Sequence, residues 1–137
     1  MTRINCIPVS ELTDKHLLAE YRELPRISQL SWDWAMKNKL ITDKLDSYTV
    51  YHEVFIKTNI PQTYRLGTGH VKFFYDKGEY LKRRFEDEIV PEMQRRGFKT
   101  NFTKYRTHPD RFNRDWKPDE DAMELNRQRI KERLGGK

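Results

Sequence analysis

The chain has 137 residues, of which 35% are charged and 36% hydrophobic, and its formal net charge is +6 at pH 7. Single domains typically hold about 100 to 200 residues, so we expect one compact domain over residues 1–137. The excess of positive charge favours a polyanionic partner, because each Lys or Arg that neutralises a phosphate releases condensed counterions. Nucleic acid is favoured over a membrane, since no apolar run approaches the about 18 residues that a membrane span needs.

The cysteine count and the start of the chain indicate the compartment. Cys6 is the one cysteine, which excludes an internal disulfide and fits a reducing environment. The first five residues, MTRIN, lack the apolar core of a signal peptide. We therefore expect a cytoplasmic protein that does not associate with membranes.

The first predicted helix starts near Asp14, a residue that favours the N-cap position. Its apolar stripe has helical spacing and consists of Leu17, Tyr21, Leu24, Ile27, Leu30 and Trp34. Because the stripe continues beyond Pro25, we expect the proline to bend this helix and not to end it.

A second helix is predicted from Thr68 or Gly69 towards Gly97, which is a natural C-cap residue, with a possible kink at Pro91. Between the two helices, residues 40–66 carry mixed signals and predict an ordered loop with at most a short strand near residues 51–56. The second helix should bury Phe74, Leu81, Phe85, Ile89 and Met93 and turn Lys82, Arg83 and Arg84 outward.

A third helix is indicated by Pro118 at its first position and by acidic residues at 119–121 in its first turn. The fold class predicted by these patterns is all-α: a single compact domain of about three main helices with long irregular connections.

Thr2 is the candidate nucleophile, because initiator methionine is normally removed before a small second residue and Thr2 would then carry the α-amine. An α-amine has a reference pKa of about 8, against about 10.4 for lysine, so roughly a tenth is neutral at pH 7. The neighbouring cation Arg3 would disfavour protonation further.

One face of the first helix carries Lys15, Arg22, Glu23 and Arg26. On a helical wheel Arg22 and Arg26 lie about 40° apart and Glu23 about 100° from Arg22, opposite the apolar stripe. This face predicts a phosphate-binding surface with a carboxylate, although Glu23 and Arg26 could equally form an ordinary surface ion pair. His16 falls about 20° from Glu23 on the wheel and could contact substrate or be structural.

The segment Gly67, Thr68 and Gly69 predicts a flexible turn into a helix N-terminus, where free N–H groups attract phosphate, or a simple entry turn. The four histidines and the single cysteine show no metal-ligand spacing, so we predict no metal. No phosphate-loop, nucleophile-elbow or dinucleotide fingerprint is present.

Two blocks of sequence resemble the pyrimidine-dimer DNA glycosylase (endonuclease V) family of T-even bacteriophages. The first consists of residues 1–5 (MTRIN), 9–12 (VSEL), 16–17 (HL) and 19–26 (AEYRELPR). The second consists of residues 66–77 (LGTGHVKFFYDK) and 96–98 (RGF). Together they cover about half of the chain, and their length makes the resemblance specific.

The resemblance implies a mostly helical enzyme without a cofactor that is both a DNA glycosylase and an AP lyase. In that family the N-terminal threonine amine, here Thr2, attacks C1′ of the damaged nucleotide and forms a Schiff base. Glu23 matches the family's catalytic glutamate, which stabilises cationic sugar intermediates and assists β-elimination. The implied setting is the cytoplasm of a bacterial cell or a phage-infected host.

The resemblance also implies a DNA-binding surface. Arg3, Arg22 and Arg26 match residues that hold phosphates around the lesion, and Arg129 and Arg133 are candidates for the family's backbone-contacting cations or for a solvated charged face. Lys15 replaces a glutamine of the phage enzyme, and residues 134–137 differ from its aromatic and basic tail. We expect the partner to be double-stranded damaged DNA and the protein to be a monomer.

Three functions remain open from the sequence. The first is excision of cyclobutane pyrimidine dimers followed by strand nicking. The second keeps this mechanism but acts on another damaged or modified base. The third is a non-catalytic basic DNA-binding module in which Arg22 and Arg26 only clamp phosphates.

Overall fold

The computed structural model describes the backbone of residues 4–38, 59–107 and 114–135, with side chains up to residue 132. Six α-helices and a π-helical segment form most of it, and no β-strand occurs within these ranges. The helices are α1 (Asp14–Glu23), α2 (Arg26–Lys37), α3 (His70–Phe73), α4 (Gly78–Arg83), α5 (Val90–Arg95) and α6 (Glu120–Gly135). A 3-10 turn spans Val9–Glu11, and the π-helical segment spans Arg84–Ile89. The predicted all-α class is confirmed.

The first predicted helix is two helices that meet at Pro25. α1 begins at Asp14, but the N-cap is Thr13, one residue earlier than predicted, and its hydroxyl accepts from the His16 N–H at 3.2 Å. Leu24 and Pro25 keep right-handed helical torsions between α1 and α2. Pro25 has no N–H to bond the preceding turn, so α1 ends before the proline and α2 begins after it, where one continuous bent helix was predicted.

The second predicted helix is interrupted near its start. α3 has four residues, Phe74 to Lys77 form a turn, and α4, the π-helical segment and α5 then follow one another without a gap to Arg95. We call this continuous run, residues 78–95, the rod. Gly97 ends the rod with φ +87°. The Gly97 N–H bonds the Gln94 carbonyl at 3.0 Å, and the Phe98 N–H bonds the Met93 carbonyl at 2.9 Å. This pair of bonds is a Schellman cap, so the prediction for Gly97 is confirmed.

The apolar face of this rod is buried as predicted, but Arg84 is not exposed. Its side chain is only 2% exposed and forms an ion pair with the equally buried Glu20. The π-helical segment starts at Arg84, and its wider turn changes the phase of the residues that follow α4. Pro91 lies just after the segment and cannot donate to it, which fits the local departure from α-helical bonding.

The last helix, α6, begins two residues later than predicted. Asp119 caps it by accepting from the Ala122 N–H at 2.8 Å, so Pro118 precedes the cap and is not the first helical residue. Glu120 and Asp121 lie in the first turn, as predicted. None of the described helices has the length and apolar character needed to cross a bilayer. The possible strand near residues 51–56 lies outside the described residues.

The core lies where α1, α2, the rod and α6 surround residues 4–7. Trp116 packs among four rings of this core and ties the segment before α6 to the rod; the rings are those of Tyr64, Phe73, Phe74 and Tyr80. Residues 4–7 therefore run through the centre of the core.

Candidate active site

The segment Ile4–Ile7 has no regular secondary structure, and side chains from the surrounding helices bond its backbone. The Ile4 N–H donates to His70 Nε2 at 2.8 Å, and the Ile4 carbonyl accepts from the Tyr64 hydroxyl at 3.3 Å. The Asn5 carbonyl accepts from the Tyr80 hydroxyl at 3.4 Å. Buried backbone groups must be satisfied, and here aromatic and imidazole side chains take the place of a sheet.

The second half of the segment is held by Asn126 and Arg84. Asn126 Oδ1 accepts from the Cys6 N–H at 2.7 Å and from the Ile7 N–H at 3.2 Å. Arg84 Nη1 donates to the Ile7 carbonyl at 2.9 Å. With the preceding contacts, six backbone groups of residues 4–7 are bonded by buried side chains, which fixes the path of the chain towards its start.

Glu20 links this segment to the charged face of α1. Asn5 Nδ2 donates to Glu20 Oε1 at 2.8 Å, and Glu23 lies one turn further along the same helix. Residues three apart on a helix have Cβ atoms about 5–6 Å from each other. The Asn5 side chain is therefore held on α1 one turn before Glu23.

Around Glu23 the helix presents its cations to solvent. Arg22 and Arg26 are exposed and Glu23 is half-buried, so the face predicted to look outward does so. Arg22, Pro25, Arg26 and Phe102 line a shallow groove at the junction of α1 and α2, which we call the Arg22–Arg26 groove. Guanidinium groups bind phosphate bidentately, so this groove can hold a DNA backbone beside a carboxylate.

Phe102 forms a second side of this groove and is not one of the residues that the sequence pattern predicted. The loop 99–107 lies against α1 and α2: the Tyr21 hydroxyl donates to the Phe102 carbonyl at 2.8 Å, and the Ser28 hydroxyl donates to the Arg106 carbonyl at 2.6 Å. The same loop exposes three further cations, Lys99, Lys104 and Arg106. In the sequence, the cations and aromatic residues interspersed in 99–106 (KTNFTKYR) are the pattern that indicates this surface.

The other nucleophile near the start of the chain is unreactive. Burial raises the pKa of the Cys6 thiol to about 12, against a smaller opposing effect of the Arg84 charge. The thiolate is the reactive form of cysteine, so almost none is present at neutral pH. The Cys6 thiol donates to the Ala122 carbonyl at 3.5 Å and serves packing.

The remaining predicted site residues of the first half of the chain have varied positions. Thr2 and Arg3 lie outside the described residues. Lys15 is exposed on α1, whereas the His16 ring is half-buried and bonds the Thr13 hydroxyl at 2.8 Å, as part of the helix cap. We find a structural role for His16 in these contacts.

Gly67 and Gly69 both have positive φ, of +73° and +89°, and the His70 N–H closes the turn on the Gly67 carbonyl at 3.1 Å. A Cβ on Gly69 would also lie 3.3 Å from Arg65 Cδ. Thr68 is exposed at the tip of this turn. The helix that it enters has only four residues, which leaves little helix dipole to bind phosphate.

Arg129 and Arg133 lie on α6, and the side chain of Arg133 is outside the described residues. Arg129 is half-buried, and its Nε is buried without a hydrogen-bond partner among the described residues. Arg129 therefore does not lie on a fully solvated charged face. Within the described ranges, no group of three His, Cys, Asp or Glu residues could hold a metal ion.

The family model for pyrimidine dimer DNA glycosylases matches residues 1–106. The chain belongs to the pyrimidine dimer DNA glycosylase family. Members of this family are DNA repair glycosylases that act on damaged DNA. The match includes α1, the Gly67–Gly69 turn and the loop with Phe102, but it ends before α6. In this glycosylase Asn126, which bonds Cys6 and Ile7, thus comes from a helix beyond the matched region.

Proposed function

We propose that the protein excises cyclobutane pyrimidine dimers from double-stranded DNA and then nicks the backbone as an AP lyase, using the α-amine of Thr2 after removal of Met1. The observation that supports the proposal is the Asn5 to Glu20 contact, which holds Asn5, three residues after Thr2 in the sequence, one helical turn from Glu23. An amine tethered within reach of a carboxylate and two guanidinium groups has the parts that this reaction needs.

In the first step the neutral amine attacks C1′ of the damaged nucleotide, and the glycosidic C–N bond breaks as the base leaves with its electron pair and takes up a proton. The sugar ring opens to a Schiff base between Thr2 and C1′. A proton then leaves C2′, and the C3′–O bond breaks to expel the 3′ phosphate. Water hydrolyses the Schiff base and regenerates the amine.

Glu23 contributes to these reaction steps in two ways. Its negative charge stabilises the cationic sugar and iminium species, because an aimed opposite charge stabilises charge that develops in the transition state. Its carboxylate also accepts the proton that leaves C2′, which is general base catalysis. The half-buried position of Glu23 keeps it accessible to a nucleotide.

The Arg22–Arg26 groove supplies the binding surface. Arg22 and Arg26 neutralise phosphates on either side of the lesion, and Arg3 lies next to the amine in sequence. Phosphate contacts fix register and orientation but carry no sequence information, so they suit an enzyme that must find one lesion in any sequence. Lys99, Lys104 and Arg106 extend the positive surface along the 99–107 loop.

Cleavage of defined duplexes tests this function. We expect single-turnover strand cleavage of a duplex with one cyclobutane dimer and of a duplex with one abasic site, without added metal, by a protein that acts as a monomer. Suppose that the protein cleaves the abasic duplex and a duplex with another damaged base, but not the duplex with the dimer. The proposed mechanism would then stand, and the proposed lesion would be replaced by the other base. Binding without cleavage of either duplex would indicate a non-catalytic module.

A further inference from the structure

We propose that His70 is a positioning residue for the N-terminal amine. The inference rests on the proposed function, since it concerns how the amine of Thr2 is aimed. His70 bonds the backbone of Ile4, two residues after Thr2, and its side chain is 4% exposed. Among the described contacts on residues 4–7, this bond acts on the backbone group closest to the amine.

The partners of the two ring nitrogens define the protonation of His70. Nδ1 lies 2.8 Å from the Arg65 carbonyl, which can only accept, so Nδ1 carries the proton. Nε2 is then the unprotonated nitrogen and accepts from the Ile4 N–H at 2.8 Å. The neutral Nδ1–H form fits both bonds, and both nitrogens face protein backbone. His70 is thus placed to hold the backbone at Ile4.

The ring itself is held on several sides. Tyr64 and Phe74 contact it edge to face, with centroids 5.6 and 5.7 Å away. The residue before it is Gly69 with φ +89°, and the Arg65 side chain packs against that glycine. Rotation of the imidazole would therefore require movement of the Gly67–Gly69 turn or of the aromatic core.

A fixed acceptor at this point constrains the amine strongly. Two residues separate Ile4 from the amine of Thr2, which bounds their nitrogen atoms to within about 7 Å. A displacement of about 1 Å at a reacting group can cost about 100-fold in rate. Loss of the bond at Ile4 should therefore slow attack on C1′ while leaving the arginine groove, and with it DNA affinity, unchanged.

The experiment compares three His70 variants with a core control. His70→Phe keeps a ring and removes both bonds, His70→Asn reaches the Nδ1 position only, and His70→Gln places an amide oxygen near the Nε2 position. The control is Ile89→Ala, which opens a cavity in the core; Ile89 is buried and lies at the end of the π-helical segment. Each protein is assayed for its single-turnover rate of borohydride trapping on an abasic duplex, its Kd for that duplex and its thermal unfolding.

We expect the trapping rate to fall about 10- to 100-fold in His70→Phe and His70→Asn, with Kd within about twofold of the wild type. His70→Gln should recover much of this loss, and Ile89→Ala should trap normally although its unfolding temperature falls. If His70→Phe does not fold, His70→Asn gives the same test. Normal trapping by His70→Asn, no recovery in His70→Gln relative to His70→Asn, or a loss in Ile89→Ala as large as that in His70→Asn, would overturn the inference. A wild type that forms no adduct would overturn the proposed function itself.

Discussion

Phe102 lies flat on Tyr21, with ring centroids 4.5 Å apart and planes 11° from parallel. Tyr21 in turn stacks on the buried Phe85 at 5.6 Å. Phe85 also lies 6.0 Å from Phe102, so the three rings form one cluster, in which Phe102 is 44% exposed and lines the groove beside Arg22 and Arg26. An exposed aromatic face supported by two more rings can receive an unstacked base, and the two cations can hold the adjoining phosphates.

Replacement of Phe102 should therefore weaken DNA binding. Stacking of one base on an aromatic ring contributes about 1–3 kcal/mol, so Phe102→Ala should raise the Kd for a dimer-containing duplex about 5- to 150-fold. Phe102→Tyr keeps the ring and should bind as the wild type does. Fluorescence anisotropy at fixed salt measures both, and equal affinities for Phe102→Ala and the wild type would remove Phe102 from the interface.

Glu23→Gln separates chemistry from binding. The amide preserves size but has neither the charge nor the basicity of the carboxylate, so we expect single-turnover cleavage to fall by about 100-fold or more. Affinity for an abasic duplex should change little, because the phosphate contacts remain. Cleavage at the wild-type rate would show that Glu23 takes no part in the reaction.

Arg26→Gln tests the phosphate contact. Each neutralised phosphate contributes about 0.9 to the slope of log K against log salt on duplex DNA. The variant should bind more weakly across all sequences and have a slope shallower by about one. Glu79→Gln, on the exposed side of α4, is a charge-changing control outside the groove. An unchanged slope in Arg26→Gln would mean that Arg26 touches no phosphate.

The acid stability of the fold should depend on Glu92. Hydrogen bonds from Arg95 and Arg96 lower the pKa of this carboxyl from 4.5 to about 2. A carboxyl with a lowered pKa in the folded state stabilises the fold above its unfolded pKa, and the contribution is lost as the pH falls towards the folded value. Urea midpoints of the wild type and Glu92→Gln should therefore differ above pH 5 and converge between about pH 4.5 and pH 2. If the urea midpoints of the two proteins differ by the same amount at every pH in this range, the acid stability of the fold does not depend on the Glu92 carboxylate.

The sequence predicted those parts of the fold that local rules determine. Periodicity identified the buried face of α1 and of the rod, and a glycine after a periodic run identified the cap at Gly97. The start of α6 was misplaced because Asp119 and Pro118 both favour helix entry, and the side chain of Asp119 makes the cap.

Long-range partners account for the remaining differences. The burial of Arg84 depends on Glu20, 64 positions earlier, and on a π-helical turn that a constant helical period does not predict. The side chains that bond residues 4–7 come from four separate parts of the chain, so no local pattern indicates them. The groove cations were predicted from one helix, whereas Phe102 depends on a loop that folds back on Tyr21.

The central claim is that the α-amine of Thr2 forms the covalent bond to DNA. Borohydride trapping on an abasic duplex, followed by proteolysis and mass spectrometry of the adduct, tests it directly. We predict an adduct on the peptide that begins at Thr2, and a sharply weaker adduct in Thr2→Leu, whose bulky second residue retains Met1. An adduct on a lysine side chain, or bound DNA with no adduct, would contradict the account.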